Sequence, residues 1–311
     1  MIVRRSATEL EKLRRSGLLV YRILEDLKTM VVEGITTRDL EVAAEKMIAD
    51  AGAAPAFKGY YSQAAGTKFP YVLCTSVNEE VVHGMPSAKV KLKQGDIVSI
   101  DTGVQLDGYF GDSAVTVPIG EVNDSVKRLL KVTEESLELA IDRVRAGNRL
   151  FDICGTVEKH VTSNGFSVVR EFVGHGIGTS LHEEPQIPNY IDRRGENPRL
   201  KPGATLGDIG HAIQSYVESN GYSVVREYCG HGIGREMHED PQVLHYGKAG
   251  EGMKLQAGMV FTIEPMVNAG KPGTKVLSDK WTAVTKDKSY SAHFEHMVAV
   301  TENGPWVLTR P

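Results

Sequence analysis

The sequence predicts an α/β (α+β) protein with one extra helix–strand unit. Three observations carry this. Apolar residues recur at helical spacing in the long stretches and at strand spacing in the shorter ones. Asp107-Gly108 joins two apolar runs as a two-residue hairpin turn. Residues 163–186 return 56 positions later as residues 219–242, with 17 of 24 identical. Two copies are too few for a solenoid. Without one copy the 311 residues reduce to 255, an ordinary single domain. Residues 1–311 therefore read as one domain carrying a duplicated insert.

In chain order, residues 6–33 read as an amphipathic helix opened by Ser6 or Thr8 and closed near Gly34. Thr37 caps a second helix, with Leu40, Ala43, Ala44 and Met47 on one face. Residues 51–68, rich in Gly, Ala and Pro, read as a loop. Strands are expected at 71–77, 81–83, 97–104 and 109–117, and a long helix at 121–144. The repeated unit follows: a helix at 150–163, a strand at 167–173, then a glycine-rich turn and a polar loop. It returns at 206–219 and 223–229, and strands around 259–267 and 293–300 complete the chain.

Composition narrows the function classes. The chain is 41% hydrophobic and 24% charged, with a net charge of −4, so no basic excess points to nucleic acid. No apolar run of 18 residues exists and the first residues lack the apolar core of a signal peptide, so no membrane role is expected. Cys74, Cys154 and Cys229 form neither a disulfide framework nor a zinc knuckle. A reducing cytoplasm is the expected location.

The hairpin carries the first chemistry. With Asp107-Gly108 as the turn, Leu106 faces Tyr109 and Asp112 faces Gly103. Asp101 then lies on the same face, two residues away, and the carboxylates are diagonal neighbours able to share a cation. Glu264 and Glu295 are further acids inside apolar strands, and each 24-residue copy has two histidines seven apart, His175/His182 and His231/His238. Four carboxylates and an imidazole buried together would repel unless cations neutralised them. Mixed oxygen and nitrogen donors suit Mn²⁺, Fe²⁺, Co²⁺ or Zn²⁺.

Residues 77–84 (VNEEVVHG), 101–103 (DTG), 107–112 (DGYFGD), GHGIG before HE, 261–265 (FTIEP) and 294–296 (FEH) resemble the type I methionine aminopeptidases. The likeness spans essentially the whole chain apart from the surplus 56 residues. It implies the pita-bread fold, an antiparallel sheet of pseudo-two-fold symmetry with outer helices. It also implies removal of N-terminal methionine from peptides and nascent proteins, as a protein-maturation hydrolase with two divalent metal ions and ribosome association. By the resemblance Asp101, Asp112, Glu264, Glu295 and one histidine, His175 or His231, are metal ligands. Glu264 shuttles a proton, His83 contacts substrate near the leaving nitrogen, and His182 or His238 stabilises the oxyanion. Phe69, Cys74, Trp281 and either Leu181 or Met237 match the methionine pocket, with Tyr60 and Tyr61 as additions.

Two copies compete for one position. Choosing His231/His238, with Met237, makes about 147–202 the insert; choosing His175/His182 makes it about 187–242. Loop entropy favours the second copy, because its strand lies nearer in sequence to the Glu264 strand. The losing unit is expected to be displaced or to swap between protomers, since its apolar strand needs a partner. Rival readings are an inactive binding module of the same fold, a misassembled chimera, and a prolidase or proline aminopeptidase.

Overall fold

A computed structural model describes residues 4–144, 150–170, 172–177, 179, 181–190, 230–232, 239–243 and 255–311. Side chains at 150–152, 183–186, 230–232 and 239–243 are outside that description. The expected second-copy elements at 206–219 and 223–229 also lie outside the described residues, as does Cys229.

Helix α1 spans Ala7–Met30 and is opened by Ser6, which exchanges hydrogen bonds with Glu9 in a capping box. Helix α2 spans Thr37–Asp50, and its cap is Thr36 rather than the expected Thr37. The spacing decides this, since only from Thr36 does Asp39 fall at the third helical position, where its carboxylate can return the bond. Both helices cover one face of the long hairpin, packing Ile23, Leu27, Leu40 and Ile48 against Val98, Ile100 and Val104. Within the expected 51–68 loop, short pairs form at Ala54–Pro55, Tyr61–Ser62 and Thr67–Lys68.

The hairpin strands are Ile97–Leu106 and Tyr109–Pro118, paired from Ile97↔Pro118 to Leu106↔Tyr109. Gly103 faces Asp112, as the turn arithmetic requires. Asp107 and Gly108 both have positive φ (53° and 79°), the geometry of a turn whose twist matches the strands. Leu73–Val77 pairs on the other side, setting Cys74 opposite Asp101.

Helix α1 crosses this hairpin at Gly111. A Cβ there would come within 2.6 Å of the Ser16 carbonyl carbon and 2.7 Å of the Gly17 nitrogen, which are backbone atoms that cannot turn aside. Gly111→Ala is therefore expected to destabilise the protein by about 1–3 kcal/mol. Urea unfolding checks this, and an unchanged midpoint would refute the close approach.

Helix α3 (Asp124–Ile141) packs on α4 (Leu150–Ser163). Leu129, Val132, Leu137 and Ala140 share an apolar cluster with Ile153, Cys154, Val157 and Val161. The strand expected at 167–173 is only Ser167–Val168. Each of the two C-terminal strands is broken once. The first runs as Val260–Ile263 and Met266–Asn268, the second as Ser291–His293 and His296–Thr301. Their outer halves pair in one sheet (Ile263↔His296) and their inner halves in another (Met266↔His293). Glu264 and Glu295 sit at the break, where paired strands leave one sheet and enter the next. Pro265, which has no N–H to give a ladder, helps end the first segment.

The duplicated hairpins lie side by side. Gly174–Gly176 pairs antiparallel with Glu183–Ile187, and Gly230–Gly232 pairs with Glu239–Val243 in the same register 56 residues on. Glu183↔Gly232 joins them in parallel, so the sheet runs 239–243, 230–232, 183–187, 174–176, 260–263, 296–301, 304–307. The strand beside Val260–Ile263 thus belongs to the first copy, through Phe261↔Gly176. Among the described residues no helix is long and apolar enough to cross a membrane.

Candidate active site

The acids converge because three elements meet at the strand break. The hairpin presents Asp101 and Asp112 from its two strands on one sheet face. Glu295 is tied to it directly, since its N–H donates to Ala114 O at 2.9 Å and the Ser113 hydroxyl donates to its carbonyl. The Gly174–Gly176 strand delivers His175. Its backbone N–H donates to the Thr262 hydroxyl, and that hydroxyl donates to Glu264 Oε1 at 3.1 Å.

His175 Nε2 lies 3.5 Å from Asp112 Oδ2, 3.6 Å from Glu264 Oε1 and 3.8 Å from Glu295 Oε1. One ligand atom from each of Asp112, His175 and Glu295 falls within a 4.8 Å span, and all three residues are buried. A glycine before the histidine is required here. A Cβ at Gly174 would sit 2.7 Å from Thr262 O and 3.0 Å from Glu264 Cγ.

Burial holds the His175 imidazole down at about 3, so it is a neutral donor of a lone pair. Burial likewise pushes Asp112 well above the carboxylate range, and Asp101 also, with the Asp112 charge as a further cause. Glu264 and Glu295 are pushed up by burial first and by the neighbouring carboxylates second. Asp101 Oδ1, Asp112 Oδ1 and Glu295 Oε1 are buried with no hydrogen-bond partner among the described residues. Oxygen atoms so placed, beside a neutral imidazole nitrogen, fit a divalent cation: it would satisfy the orphaned lone pairs and cancel the repulsion.

The other expected residues gather around this cluster. His182 stands edge-on to His175, ring centroids 4.3 Å apart, with Tyr60 on its other flank at 5.6 Å. His83 adopts a left-handed backbone (φ 59°) and packs edge-on against Phe172 at 5.2 Å. A non-glycine residue held in that region is strained, and such strain is common where a side chain must be aimed. Burial lowers His83 to about 4. Phe69 and Trp281 meet edge-on at 5.1 Å, in one apolar cluster with Cys74, Leu181, Phe57 and Ile177. Tyr60 packs against that cluster, whereas Tyr61 is 55% exposed.

Among the described residues the motif histidine beside the carboxylates is His175, although loop entropy favoured His231. Gly176 is 84 positions from Val260 and Gly232 only 28, yet a threefold change in loop length costs only about 1 kcal/mol. The first copy follows directly on α4, which shares an apolar core with α3. The His231 backbone lies in a strand separated from Val260–Ile263 by the first hairpin, and its side chain is outside the described residues. His238 and Met237 lie wholly outside them; Leu181 is the described pocket residue of that pair.

Three residues in the site escaped the sequence reading. Thr262 bridges His175 and Glu264. His293 is buried, with Nε2 4.0 Å from Glu264 Oε2. Asn189 Nδ2 donates to the Glu264 carbonyl at 2.9 Å. Thr262 and His293 each precede a site glutamate by two, so strand alternation could have found both.

The model of metallopeptidase family M24 matches residues 11–203 and again 196–302. Methionine aminopeptidase 1 of Bacillus subtilis (strain 168) is 41% identical over 310 residues, covering 100% of both chains. Methionine aminopeptidase of Escherichia coli (strain K12) is 37% identical over 302 residues, covering 97% of this chain and 91% of its own. The crystal structure of methionine aminopeptidase from Thermotoga maritima superposes with a TM-score of 0.78 at 36% identity, covering 100% of each chain. A prolidase from Pyrococcus furiosus shares the fold at 18% identity and a TM-score of 0.63, covering 99% of this chain and 66% of its own. The pita-bread architecture expected from the motifs is thus the observed one, and the chain belongs to metallopeptidase family M24 as a methionine aminopeptidase.

Proposed function

We propose that the protein is a metal-dependent methionyl aminopeptidase that releases N-terminal methionine from peptides and nascent chains. The observation that carries this reading is the buried Asp112–His175–Glu295 group beside an apolar pocket, in a chain of that family. The ligand set is Asp101, Asp112, His175, Glu264 and Glu295, which has donors enough for two divalent ions. Bound there, the ions would polarise the scissile carbonyl and make a water acidic enough to act near neutral pH.

The chain's own groups do the rest. Phe69, Cys74, Leu181 and Trp281 enclose the methionine side chain and exclude water from it. Glu264 takes a proton from the attacking water and passes it to the leaving amine. Burial and the Asp101 and Asp112 charges raise its proton affinity, which suits that task. His182 donates to the developing oxyanion, and its burial keeps it neutral with an N–H to give. His83, aimed by its strained backbone, binds the substrate next to the leaving nitrogen.

On this reading residues 187–242 are the insert. The second hairpin is displaced to the sheet edge, and its outer strand, 239–243, is where a second protomer would add if the unit swaps. The expected setting is the cytoplasm, with the ribosome as a partner. The test is Mn²⁺- or Co²⁺-supported release of methionine from Met-Ala-Ser, with an Xaa-Pro peptide alongside. Methionine release with no Xaa-Pro cleavage supports the reading. A parent protein that binds metal and cleaves neither peptide sinks it in favour of a binding module or a misassembled chain.

A further inference from the structure

His293 is a buried polar side chain with no task in the reaction as described, and its placement is costly. The ring is 2% exposed, and Nε2 is sealed from solvent without a hydrogen-bond partner among the described residues. A leucine would fill the same space with no polar atom to satisfy. The backbone around the ring is fixed. Its N–H donates to Thr116 Oγ1 at 2.9 Å, its carbonyl accepts from the same hydroxyl at 2.6 Å, and Ser99 Oγ supports that hydroxyl at 2.8 Å. On the facing strand it is paired with Met266, two residues beyond Glu264.

Glu264 Oε2 lies 4.0 Å from that nitrogen. Glu264 Oε1 already accepts from Thr262 at 3.1 Å. A turn of the carboxylate about that held oxygen, closing the gap by about 1 Å, makes a hydrogen bond to the ring. Glu264 needs this second hold. One hydrogen bond leaves the carboxylate free to turn about the held oxygen, among the neighbouring charges of Asp101 and Asp112.

We propose that His293 is a positioning residue for Glu264: its Nε2–H holds Oε2 while Thr262 holds Oε1. The carboxylate plane is then locked, with its outward lone pairs aimed at the cluster. Only a neutral donor at the Nε2 position is required. The proposal rests on Glu264 acting in the site as described above, and it predicts that shape alone at position 293 is not enough.

The experiment compares the parent with His293→Leu, His293→Ala and His293→Gln. Leu keeps the bulk without a donor, Ala removes both, and Gln restores a neutral N–H at similar reach. Two readouts are taken below the melting temperature of every variant: kcat and KM for Met-Ala-Ser, and Mn²⁺ affinity by titration calorimetry. Loss of such a supporting hydrogen bond should lower kcat or Mn²⁺ affinity in Leu and Ala by about 10–100-fold, with KM little changed. His293→Gln should recover most of that loss. Leu as good as Gln, Gln as poor as Leu, or all variants within twofold of the parent in both readouts would each overturn the proposal. A parent that fails to release methionine refutes the enzymatic reading instead, and Mn²⁺ affinity then still decides the role of His293.

Discussion

His175→Ala is expected to reduce methionine release by on the order of 10²–10³-fold, while His231→Ala stays within about a factor of three of the parent. The imidazole at 175 stands within 3.5–3.8 Å of three carboxylates and is the neutral member of an otherwise acidic group. Its removal leaves Asp112, Glu264 and Glu295 facing one another across a hole, each already pushed to high proton affinity by burial. Bound Mn²⁺ per chain should therefore fall along with the rate. The second copy cannot compensate without displacing a hairpin whose Gly174 and Gly176 are seated against Thr262 and Phe261. Kinetics on Met-Ala-Ser, with metal content measured by mass spectrometry, checks both variants. Loss confined to His231→Ala would reverse the assignment and make the first copy the insert.

Glu264→Gln is expected to lower kcat by roughly 10²–10⁴-fold with KM nearly unchanged. Glutamine keeps the shape and can still accept from Thr262, whose hydroxyl contact with Oε1 is 3.1 Å. It cannot take up the proton of the attacking water. The carboxylate is buried at the strand break and its proton affinity is raised, as a group that both accepts and returns a proton near neutrality requires. Single-turnover kinetics separates this from weakened binding. A variant that loses KM and metal together, with kcat per loaded enzyme intact, would make Glu264 a ligand and no more.

Much of the site was legible in the sequence, for reasons of geometry. A two-residue Asp-Gly turn dictates the pairing of every residue along its hairpin, so the facing of Asp112 and Gly103 followed by counting. Strand alternation then put Asp101 on the same face. Acids inside apolar runs are conspicuous, and Glu264 and Glu295 stood out for that reason. Phe69, Cys74 and Trp281 were expected in one pocket from the resemblance, and they meet in one apolar cluster. The cap of α2 was misread by one residue because Thr36 and Thr37 are both capping types and the Asp39 spacing that separates them was not used; the pairs in residues 51–68 are two residues each, too short to leave a periodic pattern.

The sequence by itself determined the hairpin register, the donor chemistry and the family to which the chain belongs. These depend on short-range periodicity and on residue types at particular spacings, both of which survive without coordinates. It did not determine which of two near-identical histidine motifs stands beside the carboxylates, because identical residues carry identical local preferences. Only the tertiary structure bears on that: among the described residues it sets His175 there, with Gly174 fitted closely to the Glu264 strand. It alone also revealed the strand break at Glu264 and Glu295, which brings His293 beside Glu264. Packing energy between distant segments exceeds the slow logarithmic cost of a longer loop, and no count along the chain contains it.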